Sequence, residues 1–308
     1  MKIVRSAEEL KPAPQPVCLA IGFFDGVHLG HQQIIRQTVT DARQKGASSL
    51  VITFDQHPTR IIAPERTPAL IQSLPQRLRS IEALGVNALW LIRFDHPFSQ
   101  KTGEQFVREM AVSLGSIRSV CVGANFKFGY QRSGDVALLE RMGSELGFKV
   151  HGLAAVSLDG QVISSTRIRQ AIAAGDLDAA SQMLGRAYSL AGEVIRGDQL
   201  GRQLGFPTAN LQASGICLPT NGVYAADTEV DGRSYRAVVN IGLRPTLKQP
   251  EPQLRVEAFL MDFDGDLYGR ELELIFLKKL RDETRFASLE ELRRQIERDV
   301  AAAVELSG

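Results

Sequence analysis

The sequence has few cysteines, almost no net charge and no long apolar run. Its three cysteines, Cys18, Cys121 and Cys217, stand far apart in 308 residues, and two of them lie inside apolar runs. That pattern argues against a disulfide framework and predicts buried free thiols in a reducing cytoplasm. The N-terminus has no signal-peptide core, and no apolar run approaches membrane-spanning length. We therefore expect a cytoplasmic protein that does not enter a membrane.

The nearly equal numbers of basic and acidic residues exclude long-range electrostatic attraction as the means of recognising an anionic partner. Thirty-six basic residues face 35 acidic ones, so no general attraction to nucleic acid or to an anionic membrane is expected. No G-x-x-x-x-G-K-[ST] loop is present, which excludes a P-loop kinase. Any recognition of phosphate must therefore be local. The length and an apolar content of 44% predict two domains. We place them at residues 1–184 and 185–308, because a helical segment ends at Gly185 and the character of the sequence changes there.

One stretch organises the first half: residues 21–32, I-G-F-F-D-G-V-H-L-G-H-Q. An apolar strand precedes it, a glycine-rich turn opens it, and a helical pattern follows, with a buried face at Ile34, Ile35, Val39 and Ala42. A turn between strand and helix start is an anion site, because free N–H groups and the helix dipole point at it. His28 and His31 are spaced to face one bound group, such as a triphosphate. The alternative is that the two histidines are surface or helix-capping residues. A zinc-protease site is not indicated, because no acidic residue lies at the spacing that such a helix requires.

Further apolar runs at residues 50–54, 88–92, 120–123 and 150–153 alternate with amphipathic stretches up to a helix at 177–184, which ends at Gly185. This alternation predicts a parallel sheet with helices on both faces and with ligands at the carboxyl ends of the strands.

Three segments follow strands or begin helices at that edge. Phe54, in T-F-D-Q-H-P, either belongs to a turn or presents its ring to a flat ligand. Residues 123–129, G-A-N-F-K-F-G, suit a backbone bent around a ring system, or a hairpin-like loop with both phenylalanines in the core. Residues 163–169, I-S-S-T-R-I-R, suit phosphate binding by hydroxyls and a cation, or a plain N-cap.

The second half reads as strands and turns followed by one helix. Asp231-Gly232 is a hairpin signal between runs at 222–230 and 233–241, and further runs occupy 254–263 and 271–280. Regular short strands predict a small antiparallel barrel. A capping box of Ser288 with Glu291 then predicts a closing helix whose apolar face holds Leu289, Leu292, Ile296 and Val300.

The chemistry of this half is expected in residues 197–210, G-D-Q-L-G-R-Q-L-G-F-P-T-A-N. Its glycines suit a flexible lid, and Thr208 and Asn210 offer neutral oxygens for a magnesium ion carried by nucleotide phosphates. Glu257 lies in an alternating strand, where an acid either faces solvent or accepts a proton from a substrate hydroxyl. Arg281 is a surface cation or a site residue.

These strings resemble a known family. The H-x-G-H spacing of His28 and His31 is similar to the nucleotidylyltransferase signature, and G-x-F-D-G-V-H-L-G-H resembles bacterial riboflavin kinase/FAD synthetases. Five further strings match the same family, in its order and over nearly the whole chain. They are T-F-x-x-H-P, G-x-[DN]-F-x-F-G, I-S-S-T-x-I-R, G-R-x-L-G-F-P-T-A-N and N-I-G-L-R-P-T at residues 240–246. One departure is Phe23, where the family usually has Asn. The 240–246 segment would be a structural turn near the site.

The resemblance implies a Rossmann-like nucleotidylyltransferase domain with a parallel sheet, followed by a small antiparallel β-barrel riboflavin kinase domain with a C-terminal helix. The second domain would phosphorylate riboflavin to FMN with ATP and Mg²⁺, and Glu257 would be the base. The first domain would convert FMN and ATP to FAD and pyrophosphate, and His28 and His31 would stabilise charge on the phosphates. Nucleotide-binding residues would be Gly22, Phe23, Asp25, Gly30, Ser164, Ser165, Thr166, Arg167, Gly201, Arg202, Gly205 and Pro207. Flavin contacts would be Phe54, Asn125, Phe128 and Arg281; metal ligands would be Thr208 and Asn210.

Two other functions remain open: a riboflavin kinase whose adenylyltransferase half is impaired by Phe23, and a non-catalytic flavin-binding regulator. A class I aminoacyl-tRNA synthetase would need a lysine-rich K-M-S-K-S-type loop where I-S-S-T stands, and none is present. We expect a monomer or weak homo-oligomer whose partners are riboflavin, FMN, FAD and ATP.

Overall fold

The structure is a computed structural model that describes residues 1–6, 8–10, 15–197, 201, 204–244 and 253–306. Two compact units are present: residues 1–68 with 74–165, and residues 69–73 with 166–308. The first contains a parallel sheet and the second a closed barrel. The predicted fold class is therefore confirmed.

The first unit contains a six-stranded sheet in the order β1-β4-β3-β2-β5-β8, with every neighbouring pair parallel. The strands of this unit are β1 (Lys2–Val4), β2 (Val17–Ile21), β3 (Ser48–Phe54), β4 (Ala88–Ile92), β5 (Ile117–Gly123), β6 (Lys127–Phe128), β7 (Gly134–Asp135), β8 (Lys149–Leu153), β9 (Ser157–Leu158) and β10 (Gln161–Val162). Five strands of this sheet, β2, β3, β4, β5 and β8, lie where the apolar runs predict them. The edge strand β1 was not predicted, because three residues carry too little periodicity.

Helices cover both faces of this sheet. They are α1 (Leu29–Gln44), α2 (Thr59–Ile62), α3 (Leu74–Glu82), α4 (His96–Ser99), α5 (Gly103–Leu114) and α6 (Val136–Leu146), with 3₁₀ turns at Glu8–Leu10, Asp25–Val27, Pro64–Arg66 and Tyr130–Arg132. Leu19 packs in a core cluster with Val107 of α5, whereas Ala20 packs in another with Ile35 of α1. Burial on both faces explains why the strands are continuous apolar runs rather than alternating ones.

The order of strands reverses at β2: β3 and β4 lie on one side of it, and β5 and β8 lie on the other. In open parallel sheets a ligand crevice forms outside the carboxyl ends of the strands at such a reversal. The turn that follows β2 is the H-x-G-H stretch, so the topology places that motif at this crevice.

Two helices, α7 (Ser165–Ala174) and α8 (Leu177–Leu184), precede the barrel. Asp176 caps α8 by accepting the Ala179 N–H, and the helix ends at Gly185 with a left-handed backbone, as the sequence predicts. The barrel strands, in the closed order β11-β12-β15-β14-β13-β16, are β11 (Ser189–Ile195), β12 (Thr208–Leu211), β13 (Gly222–Val230), β14 (Arg233–Arg244), β15 (Gln253–Leu260) and β16 (Glu271–Arg281).

The predicted hairpin joins β13 to β14, with φ of 53° at Asp231 and 76° at Gly232, as a type I′ turn requires. Two details of the sequence prediction are wrong. The run at 254–263 stops being a strand at Leu260, since the backbone turns with a positive φ at Asp262. Asn240 lies in the middle of β14 rather than in a turn, and residues 245 and 246 of that motif lie outside the described residues.

The last helix is α9 (Leu289–Glu305), and only one of the two hydrogen bonds of its predicted capping box is present. Ser288 accepts the Glu291 N–H, but the Glu291 carboxylate accepts the N–H of Ala287 rather than that of Ser288. Leu289 is 58% exposed, contrary to its predicted place on the apolar face, because the buried positions of α9 begin only at Asp299. None of the helices that the structure describes has both the length and the apolar content to cross a bilayer.

Candidate functional site

The turn after β2 has an unusual backbone. Phe24 and Val27 have φ of 56° and 39°, in the left-handed region that side chains other than glycine rarely adopt. Such strain persists only where surrounding structure enforces it, and it concentrates at ligand sites. The 3₁₀ turn Asp25–Val27 lies between β2 and α1, so its backbone N–H groups stand where the sequence predicts anion binding.

His28 is the N-cap residue of α1, and its ring lies on that of His31. The ring centroids are 3.6 Å apart with an interplanar angle of 22°. His28 Nδ1 accepts the His31 backbone N–H at 3.4 Å, so a neutral His28 carries its proton on Nε2. A Cβ at Gly30 would lie 3.2 Å from His28 Cε1, which leaves little room for any larger residue. The geometry thus brings both predicted histidines to one place.

The pKa of His31 is held well below its usual value. Burial is the largest cause, followed by the positive charges of His28 and Arg77. Without a ligand His31 is therefore neutral near pH 7. A phosphate bound beside it would favour the charged ring, so the pair can supply positive charge when an anion arrives.

One residue of the I-S-S-T-R-I-R segment, residues 163–169, contacts the same turn. Ser165 begins α7 and its hydroxyl donates to the Asp25 carbonyl oxygen at 3.0 Å. Ser164 and Arg167 are half-buried and Thr166 is exposed. That all four residues bind phosphate stays a prediction.

A cavity of about 610 Å³ lies in the first unit. Seven phenylalanines line it: Phe23, Phe54, Phe94, Phe98, Phe106, Phe126 and Phe128. Ring contacts connect six of these phenylalanines, and they include Phe54 against Phe98 at 5.8 Å between centroids and Phe126 stacked on Phe128 at 5.2 Å. A cavity of this size with aromatic walls suits a large flat ring system.

Of the predicted flavin contacts in this unit, Phe54 and Phe128 line the cavity, whereas Asn125 is exposed and does not. Phe23, predicted as a nucleotide contact, is also a lining residue of this cavity. Sequence reasoning did not select Phe94, Phe98 or Phe106. Phe94 lies in the short loop directly after β4, so the rule that ligands bind at carboxyl ends of strands was a usable signal for it.

In the barrel, Glu257 stands between two asparagines. Its direct cross-strand partners are Asn210 on β12 and Asn240 on β14, and directly opposed residues project from the same face of a sheet. Thr208 lies two residues before Asn210 and so shares that face. The strand pairing thus brings together Glu257, Asn210 and Thr208, and it adds Asn240, which sequence reasoning treated as structural.

Two glycines leave space beside the oxygen donors of β12. A Cβ at Gly197 would lie 2.3 Å from the Asn210 amide nitrogen, and one at Gly201 would lie 3.3 Å from Thr208 Oγ1. Pro207 and Thr208 line a second cavity of about 400 Å³ with Tyr268 and others. Gly205 has a left-handed backbone with φ of 88°. Arg202 lies outside the described residues.

Two neutral oxygen donors on one strand face fit a hard cation that also binds nucleotide phosphates. Within the described residues no group of three His, Cys, Asp or Glu side chains is placed to hold a metal by itself. Arg281, the remaining flavin prediction, forms an ion pair with the buried Asp299, so its guanidinium is engaged in joining β16 to α9.

Comparison with known proteins identifies relatives of both halves of the chain. Residues 10–167 match the family model of FAD synthetase, and residues 184–307 match that of riboflavin kinase. The chain is 39% identical over 303 residues to a bifunctional riboflavin kinase/FMN adenylyltransferase of Pseudomonas fluorescens, which covers 98% of this chain and 97% of that protein. The protein of that name from Escherichia coli K12 is 38% identical over 310 residues, covering 100% and 98%.

Among solved structures, the crystal structure titled as a macrolide-efflux protein from Streptococcus pneumoniae matches with a TM-score of 0.84 and 28% identity, covering 99% of each chain. The matches to both family models and to full-length relatives confirm what the motifs predict: this chain belongs to the family of bifunctional riboflavin kinases/FMN adenylyltransferases.

Proposed function

We propose that this chain makes FAD from riboflavin in two ATP-dependent steps, the first in residues 185–308 and the second in residues 1–184. One observation carries the assignment of the second step. The stretch from Phe23 to His28 contributes both to the wall of the aromatic cavity and to the turn that holds the stacked histidines. A flavin ring and a phosphate can therefore be bound by one continuous element.

In the first step, the Glu257 carboxylate accepts the proton of the terminal ribityl hydroxyl as the hydroxyl oxygen attacks the γ-phosphorus of ATP, and the bond from the γ-phosphorus to ADP breaks. Such a base commonly contributes a rate factor of about 10²–10⁴. Asn210 and Asn240 flank Glu257 on the same sheet face and are placed to orient the hydroxyl. Little covalent chemistry is required of the protein, because phosphoryl transfer depends mainly on positioning and neutralisation of charge.

Thr208 and Asn210 would hold Mg²⁺ together with the ATP phosphates, and the ion would neutralise phosphate charge. The space left by Gly197 and Gly201 supports this assignment. Gly205, Pro207 and Arg202 complete the proposed nucleotide-binding segment.

In the second step, a phosphate oxygen of FMN attacks the α-phosphorus of ATP, and the bond to pyrophosphate breaks. Charge grows on the phosphate oxygens during this exchange, and preorganised donors stabilise it. His28 offers its Nε2 proton, and His31 gains charge as the anion binds. The turn that contains Gly22, Asp25 and Gly30 is proposed to lie against the nucleotide phosphates, and Ser164, Ser165, Thr166 and Arg167 are proposed to bind the leaving phosphates.

Phe54 and Phe128 are proposed to contact the isoalloxazine ring. Asn125 and Arg281 are proposed to act at the flavin sites, as the family resemblance implies. We also propose that the protein acts on small molecules alone, with no nucleic-acid or membrane partner, as a cytoplasmic monomer or weak homo-oligomer. The balanced charge and the three free, buried cysteines support this proposal.

The test is to incubate the purified full-length chain with riboflavin, ATP and Mg²⁺ and to separate the flavins over time. FMN should appear first and FAD second. FMN that accumulates without FAD would reject the adenylyltransferase assignment while leaving the kinase. Riboflavin that stays bound without turnover would reject both and favour a flavin-binding regulator.

A further inference from the structure

Arg77 is a buried cation that the two proposed reactions do not use. It lies on α3 and is only 2% exposed. Its Nη1 donates to the Phe23 carbonyl oxygen at 3.0 Å, and its Nη2 donates to the Phe54 carbonyl oxygen. Phe23 follows β2 and Phe54 ends β3, which are neighbouring parallel strands. One side chain therefore bridges the carboxyl ends of two neighbouring strands, at the edge of the parallel sheet where ligands bind.

The same guanidinium lies over an aromatic ring. Arg77 Cζ is 4.2 Å from the centroid of the Phe23 ring, within the range of a cation–π interaction. The His57 ring meets Phe23 edge-on at 4.7 Å. Phe23 is thus held by Arg77 at both its ring and its carbonyl, and both Phe23 and Phe54 line the aromatic cavity. Every direct contact described for Arg77 ends on the wall of that cavity.

Burying this guanidinium is costly. Desolvation lowers the pKa of Arg77 to about 10, although the negative charges of Asp25 and Asp55 oppose the shift. Its Nε–H lacks an acceptor among the residues that the structure describes. An apolar side chain would avoid this cost, but it would leave the Phe23 and Phe54 carbonyl oxygens without the guanidinium donor that they have in the structure. The arginine therefore fixes these two carbonyls relative to each other.

We propose that Arg77 is a positioning residue for adenylyl transfer: it acts through Phe23 and Phe54 to hold the flavin-binding wall in register with the histidine turn. This inference rests on the proposed second step. The flavin ring packs on a wall whose exact place sets where the FMN phosphate lies. Because displacement of about 1 Å can cost roughly 10²-fold in rate, a residue that never touches substrate can still control this step.

The experiment compares Arg77→Met with Arg77→Lys and with Arg79→Met, an exposed arginine two residues further along α3. Steady-state FAD formation from supplied FMN gives kcat and the KM for FMN, and riboflavin phosphorylation by the same chain serves as an internal control. For Arg77→Met we expect a KM for FMN raised about 10-fold and a kcat lowered about 10- to 100-fold, with kinase activity unchanged. Lysine should restore part of the loss, since it can bind one carbonyl but cannot join two.

A second variant, Phe23→Leu, retains the backbone carbonyl and an apolar wall but removes the ring beneath Arg77. It should weaken FMN binding, measured by flavin fluorescence, and the double variant with Arg77→Met should lose less than the sum of the single losses. If Arg77→Met does not fold, Phe23→Leu is combined with Arg77→Lys instead, and the same comparison of single and double losses is made.

A merely structural role would lower thermal stability while leaving kcat and the KM for FMN at wild-type values, and that result would overturn the inference. Additive losses in the double variant would also overturn it. If wild type forms no FAD, the proposed second step fails instead. The FMN dissociation constants of wild type and variants then test Arg77 separately, and equal constants would reject its role.

Discussion

Arg281 donates three hydrogen bonds to the two carboxylate oxygens of Asp299, at 2.8 to 3.1 Å. Arg281 ends β16 and Asp299 lies on α9, with side chains 21% and 5% exposed. This pair joins the last helix to the barrel, and Arg281 also donates to the Asp282 carbonyl and the Thr284 hydroxyl. The predicted flavin contact at Arg281 would have to be made by a guanidinium that already has these partners.

Replacement of Asp299 by alanine should destabilise the barrel, because it leaves the Arg281 charge without its partner. Loss of one member of a buried pair costs about 3 kcal/mol. Urea unfolding followed by circular dichroism measures the loss, while fluorescence of Trp90, the single tryptophan and a residue of β4, reports the first unit as a control. Arg294→Met, which breaks an exposed pair with Glu290 in the same helix, should change little. Equal midpoints for Asp299→Ala and wild type would contradict the assignment.

The lowered pKa of His31 predicts a pH dependence of stability. In the unfolded chain His31 titrates near 6.5, whereas in the folded unit it stays neutral to lower pH. As pH falls below about 6.5, the unfolded state therefore binds more protons, and stability decreases by at most about 1.4 kcal/mol per pH unit. His31→Gln should show a flatter profile between pH 7 and pH 5, measured by Trp90 fluorescence during urea unfolding. Parallel profiles would show that His31 is not the titrating group.

Removal of the His28 ring should stop the second step and leave the first. His28→Ala eliminates one donor to the phosphate charge, for which a loss of about 10²- to 10³-fold is typical. FAD formation from supplied FMN should fall by that factor, whereas riboflavin phosphorylation should proceed at the wild-type rate. Loss of both activities would indicate a folding defect rather than a catalytic one.

Glu257→Gln should have the opposite effect. Without a proton acceptor, riboflavin phosphorylation should fall about 10²- to 10⁴-fold, while FAD formation from supplied FMN is retained. Glu229→Gln, at an exposed position on β13, is the matched control. Full kinase activity in Glu257→Gln would remove this residue from the mechanism.

Thr208 provides a test of the metal assignment. Thr208→Ser retains the hydroxyl and should leave the Mg²⁺ requirement of the kinase near that of wild type. Thr208→Val removes the oxygen at nearly constant volume and should raise the Mg²⁺ concentration needed for half-maximal activity several-fold. The same Mg²⁺ requirement in both variants would exclude Thr208 as a ligand.

Much of the fold could be predicted because its signals are local. Buried parallel strands are continuous apolar runs, Gly185 ends a helix through its left-handed backbone, and Asp231-Gly232 specifies a two-residue turn. The failures occur where local pattern and tertiary packing differ. Leu289 has the right helical spacing but lies before the part of α9 that packs on the barrel.

The family, the two kinds of sheet and the candidate site segments could be predicted from the sequence, because motifs and periodicity are properties of neighbouring residues. Which distant residues meet depends on the folded chain. Glu257 acquires Asn210 and Asn240 through strand register, and seven phenylalanines from separate elements form one cavity. Arg77 shows no motif at all; it became a candidate because folding buries its charge between the exits of two strands, where two carbonyls and one aromatic ring compensate for lost water.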